Sequence, residues 1–144
     1  MRFTASCLFV FTLLQSTEIM AQQHLRDYQW KQRIILLFTP NPYAAAIKSQ
    51  AELVQMHKTE FEERDVLIFM VSPHAVSSLD HTTTGLNAAE VYDYSRTVDT
   101  FSGVVLIGKD GGVKLKGDYE VAPQRIIDLI DSMPMRRAEI RQNP

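Results

Sequence analysis

The chain is almost without cysteine. Among its 144 residues there is one, Cys7, and a single thiol closes no internal disulfide. Net charge is nearly absent as well, with 15 Lys+Arg against 17 Asp+Glu and a formal charge of -2. Such a balance provides no polycationic surface for phosphate backbones, so nucleic acid is excluded as a partner. Long apolar runs are missing too. The run Cys7 to Leu14 near the N-terminus contains Thr12 and is ended by Gln15, Ser16, Thr17 and Glu18, well short of the roughly 20 apolar residues that cross a bilayer. What is there is a globular composition, 45% hydrophobic and 22% charged, which is not that of a disordered chain. The length suits one compact domain.

Arg2, the short apolar run and a polar stretch ending at Ala21 follow the three-part plan of a secretory signal peptide. Residues 1–21 are therefore expected to be cut away, with the protein exported to the periplasm or secreted. That cleavage removes Cys7 and leaves residues 22–144 as one domain without cysteine and without a membrane span. In a compartment where small domains often rely on disulfides, its stability must come from an apolar core.

Ile34 to Thr39 (IILLFT) is a continuous apolar run closed by Pro40, as expected of a strand buried on both faces. Asn41 and Pro42 then suit the N-cap and first turn of a helix, whose inner stripe is Ile47, Ala51, Val54 and Phe61. Val66 to Val71 (VLIFMV) reads as a second buried strand, parallel to the first across a right-handed crossover. Ser72 to Leu86 is polar and reads as a surface loop. Asn87 and Glu90 resemble a capping box opening a short helix, Ala88 to Ser95. Gly103 to Lys109 and Val113 to Lys116 flank Asp110-Gly111-Gly112 and predict a hairpin. Pro123 opens a last amphipathic helix, and Pro134 should separate it from the tail Met135 to Gln142.

Strand, helix, strand, helix, strand, hairpin strand, helix is an α/β order that resembles the thioredoxin-like domain, a central mixed sheet with helices on both faces. FTPNPYAAA stands where thioredoxins carry their dithiol, yet Tyr43 and Ala46 occupy the two cysteine positions. Phe38-Thr39-Pro40 also looks like the lead into a peroxiredoxin site, with Ala44 and Ile47 where a Ser or Thr and the peroxidatic Cys would stand. Because the thiolate is the nucleophile, both thiol activities are excluded on these positions. Phe101-Ser102-Gly103 replaces the cis-proline stretch of thioredoxins.

The segments RDYQWKQRIILLFTP, ERDV (63–66), LIGKDGGVKLK and IDSMPMRRAEIR together resemble the secreted thioredoxin-like family called P-DUDES. That family occurs in bacterial exported proteins and in animal extracellular proteins such as equarin and the sushi-repeat proteins. The resemblance spans nearly all of residues 25–142 and implies secretion, a thioredoxin-like fold and missing redox cysteines. It implies no reaction, substrate or catalytic residue.

Other constellations offer candidate sites. His74, Asp80 and His81 would supply imidazole and carboxylate ligands to a metal such as zinc, though a solvated loop is the simpler reading. His57 reads as a helix-surface histidine. Arg136, Arg137 and Arg141, with Lys114 and Lys116, would receive a carboxylate, a phosphate or an acidic partner if the tail folds over the hairpin; a solvated helix with Glu139 interleaved, or pairing with Asp128 and Asp131, is the competing expectation. Thr39, Asn41 and Tyr43 sit at the strand end where ligands gather in α/β sheets. The reading that follows is a non-catalytic, exported thioredoxin-like binding module for an unknown protein or small anionic ligand, with no catalytic residue and no cofactor. The alternative is an enzyme of non-thiol, metal-assisted chemistry on the same scaffold.

Overall fold

The computed structural model describes residues 21–143, so the expected signal segment, all but Ala21, and Cys7 with it, lie outside the described residues. Arg33–Phe38 forms β1, and every residue in it is buried. Successive side chains of a strand point to opposite faces, so an unbroken buried run needs cover on both sides. Ile34, Leu36 and Phe38 enter one apolar cluster with Val91 and Tyr92. Ile35 and Leu37 enter the other with Ile47, Val54, Phe61, Ile126 and Ile130.

From β1 the chain crosses through two helices, α1 (Ala45–Met56) and α2 (Lys58–Glu62), to β2 (Val66–Ser72). β2 lies parallel to β1, with Arg33 opposite Val66 and Phe38 opposite Val71, as the crossover requires. α1 begins later than Asn41-Pro42 suggests: its N-cap is Ala44, whose side chain caps nothing. Asn41 instead folds a turn of its own, its Oδ1 accepting from the Tyr43 amide at 2.9 Å, a local bond that competes with a helical cap. The helix breaks at His57, yet Ile47, Val54 and Phe61 still face inward.

Two expectations are corrected on the far side of β2. The polar stretch 72–86 contains a strand, β3 (Ala75–Ser78), antiparallel to β2 with Val71 opposite Val76. Val76 is its one buried residue, so an edge strand with mostly solvent-facing side chains reads as loop. β2 is also not buried throughout, since Leu67, Ile68 and Met70 are half-buried.

α3 (Ala88–Ser95) starts on Asn87, whose Oδ1 accepts from the Glu90 amide at 3.2 Å. Half of the capping box forms, because the Glu90 carboxylate lies 2.8 Å from His24 Nδ1 instead. β4 (Gly103–Ile107) is antiparallel to β1, and β5 (Val113–Gly117) completes the hairpin. Gly111 takes the positive φ of +82° that the reversal needs. The sheet order is β3-β2-β1-β4-β5. α4 (Pro123–Ser132) packs beside α1, and Met133, extended at φ -69° and ψ 140°, separates it from α5 (Pro134–Gln142). α1, α2 and α4 cover one sheet face; α3 and a short 3-10 turn, Leu25–Tyr28, cover the other. Among the described residues no helix is long and apolar enough to cross a membrane.

Candidate functional site

The loop leaving β1 carries the three residues expected there. Thr39 is buried, its amide donating to Val71 O at 2.9 Å and its Oγ1 to Asn41 O at 2.8 Å. These bonds hold the loop against the end of β2. Tyr43 then projects outward and is 82% exposed. Ala44 stands at the N-cap position of α1, Ala46 lies in its first turn and Ile47 is buried, so no thiol stands at the start of this helix. Across the strand end, Phe38 packs on Tyr92 and Phe101 with ring centroids 5.1 and 5.6 Å apart, and the Tyr119 hydroxyl donates to Phe38 O. Burial pushes the Tyr92 phenol up. No peptide bond is cis among the described residues. At Gly103 a Cβ would stand 2.1 Å from Gly117 O, so this position takes no side chain. The strand end is closed by aromatic rings.

Beside this loop runs a groove of about 1280 Å³ between α1 and the exposed face of β2 and β3. Thr39, Pro42 and Tyr43 line it at the loop, and Ile47, Ala51, Ile68, Met70 and Leu79 give it an apolar surface. Met56, which is 79% exposed, also lines it. Sequence reading missed Ile68, Met70 and Leu79 as groove residues. VLIFMV looks uniformly buried by composition, yet Leu67 on one face and Ile68 and Met70 on the other are half-buried.

The histidine loop does not assemble into a ligand set. Among the described residues no group of three or more His, Cys, Asp or Glu side chains is placed to hold a metal ion. Asp80 is engaged locally, accepting from Ser78 Oγ and from the Thr82 amide. Those bonds hold its carboxyl down to about 2. Asp80 and His81 line the groove, and His74 sits in the turn between β2 and β3.

The basic residues are dispersed rather than gathered. Lys114 Nζ pairs with Asp110 at 2.6 Å, Lys116 Nζ donates to Arg96 O at 2.6 Å, and Arg136 reaches Asp131 and Glu139 at 3.4 Å each. Arg137 and Arg141 are exposed and make no ion pair among the described residues. The tail does fold toward the hairpin, but through Glu139, which in sequence reads as part of a solvated helix. Glu139 pairs with Lys109 at 2.7 Å and with Arg33 at 3.2 Å. Burial pushes the Glu139 carboxyl up, and the bonds from Lys109 and Arg33 outweigh it, leaving the group below its ordinary value. Nearby, the Arg64 guanidinium grips Asp131 through two bonds of 2.8 Å, which holds that carboxyl down.

In fold the chain resembles peroxiredoxins. Thioredoxin peroxidase I of Plasmodium yoelii superposes with a TM-score of 0.58 at 20% identity, over 83% of this chain and 82% of that one. Reduced 2-Cys peroxiredoxin of Plasmodium vivax gives 0.57 at 18% identity, over 82% and 72%. A yeast mitochondrial 1-Cys peroxiredoxin gives 0.52 at 17% identity, over 78% and 68%. At such identities the likeness is one of fold, and it makes the thioredoxin-like architecture plain. No curated protein matches the chain. Residues 24–139 match a domain of unknown function, DUF4174. The match runs from the 3-10 turn before β1 to the carboxylate that ties α5 to the sheet, and the chain belongs to the DUF4174 family.

Proposed function

We propose that this protein is an exported, non-catalytic binding module that keeps a thioredoxin-like scaffold and takes a partner protein in the groove beside Tyr43. One observation carries the reading: a solvent-exposed phenol at the end of β1 overlooks an open apolar groove of about 1280 Å³, and the positions for thiol chemistry are Tyr43, Ala44, Ala46 and Ile47. Contiguous exposed apolar surface marks interaction sites, and aromatic residues anchor protein interfaces. Export rests on the signal-like residues 1–21. The resemblance to P-DUDES, carried by LIGKDGG and SMPMRR, supports the same compartment.

Affinity capture from envelope extract with the wild-type chain, Tyr43→Ala and Met56→Asp tests the groove. Both side chains are exposed, so neither substitution disturbs the core. The expected result is one partner retained by wild type and lost, at least tenfold, from both variants. Equal recovery by all three proteins overturns the assignment of the groove.

A further inference from the structure

At the opposite end of β1 one carboxylate is held by three cations. Glu139 Oε1 accepts from Lys109 Nζ at 2.7 Å and Arg33 Nη2 at 3.2 Å; Oε2 accepts from Arg33 Nη1 at 3.3 Å and Arg136 Nη1 at 3.4 Å. The two body-borne cations sit on rigid supports. Arg33 is in β1 and its side chain is 1% exposed; Lys109 is in the hairpin turn and its side chain is 10% exposed. A guanidinium so buried needs a counter-charge. The counter-charge arrives on α5, a helix that buries none of its own residues and hangs from α4 by the extended Met133. Arg33 keeps a buried Nε without a partner. Beside this contact opens a cleft of about 290 Å³, lined by Arg33, Lys109 and the Lys114–Asp110 pair and, on its apolar wall, by Leu129, Met133 and Met135.

We propose that Arg33 and Lys109 form a carboxylate-binding socket that Glu139 fills in cis, and that an outside carboxylate on a short apolar body enters through the adjoining cleft and displaces α5. Arg33 belongs to β1 and Lys109 to the hairpin turn, where Lys109 also keeps Asp65 at 2.8 Å, while Glu139, the carboxylate the two cations share, belongs to a helix that buries none of its residues. A forked guanidinium beside an ammonium is carboxylate-binding chemistry. Leu129 of α4 is the part of the apolar wall that stays when α5 leaves, and it suits a body such as a short acyl chain or the last side chain of a peptide.

Thermal unfolding of the full chain with Glu139→Ala, and with the milder Glu139→Gln, tests the socket in chloride, acetate, butanoate and acetyl-dileucine at matched ionic strength and neutral pH. Acetate is expected to raise Tm of both variants by about 3 °C or more over chloride and to leave wild type unchanged; butanoate should raise it further. Acetyl-dileucine exceeding butanoate identifies a peptide C-terminus as the source, and the reverse order a free acid. Lys109→Met added to Glu139→Gln should abolish the rise. In wild type, butanoate should speed hydrogen exchange of the α5 amides where chloride does not. Variants indifferent to carboxylates, or unchanged α5 exchange in wild type, overturn the proposal.

Discussion

Arg33 is the residue on which the C-terminal end of the fold depends. Its guanidinium is held by Arg64 O at 2.7 Å and by the Glu139 carboxylate, with the rest of the charge removed from water. Removing one partner of such a pair leaves an uncompensated buried charge, so Glu139→Ala should destabilise the chain by about 3 kcal/mol in urea unfolding. The pair also sets a pH dependence. Glu139 titrates below its ordinary value of 4.5 in the folded chain and Asp131 below 3.8. A carboxyl depressed by folding contributes stability that is complete above its unfolded value and is lost as pH falls through the folded one. The advantage of wild type over Glu139→Gln should therefore be flat near neutrality and shrink below about pH 4.5; a difference that grows in acid would contradict it. None of this was legible in the sequence. Arg33 reads as the polar border of an apolar run, and its partner lies 106 positions away, beyond the reach of any local pattern.

At the scale of elements, what could be read was what local chemistry decides. Asn87 accepts from the Glu90 amide as its position before an apolar-periodic segment implies, and truncating such a cap typically costs about 1 kcal/mol. Asn87→Ala should lower stability by that amount in urea, with the loss recovered by Asn87→Asp and not by Asn87→Gln. Pro123 at the first turn of α4 and Pro134 at the first turn of α5 were legible for the same reason, since proline fixes its own backbone and that of its predecessor. The failures have a common cause. Asn41 looks like an N-cap, but its side chain is taken by the Tyr43 amide because Thr39 has already folded the loop back with its own hydroxyl. β3 looks like loop because the ladder with β2, not its own side chains, makes it a strand. The groove inherits that blindness: it needs β3 as one of its walls, and Ile68 and Met70 are indistinguishable in sequence from core residues.

For the whole molecule the governing feature is a sheet that is apolar on both faces through its centre. β1 sends Ile34, Leu36 and Phe38 one way and Ile35 and Leu37 the other, so the domain has two cores divided by one layer of backbone. This arrangement is what the likeness in fold to peroxiredoxins reflects, and it is compatible with about a fifth identity because it asks only for apolar residues of the right period, not for any site residue. A scaffold with such modest demands forms here with no thiol at Tyr43, Ala46 or Ile47. Two cores on opposite sides of a sheet should also respond to damage independently. Ile126 in α4 and Val91 in α3 are fully buried on opposite faces. Ile126→Val should cost about 1 kcal/mol and Val91→Ala about 2 kcal/mol. Their side chains share no neighbours across the sheet, so the double variant should lose the sum within about 0.5 kcal/mol. Urea unfolding of the two single variants and the double variant measures this directly, with unchanged m-values showing that the transition still exposes the same surface. A coupling well above that margin would mean that the two cores transmit strain through β1. The groove beside Tyr43 and the socket at Arg33, which lie at opposite ends of that strand, would then be mechanically linked rather than separate.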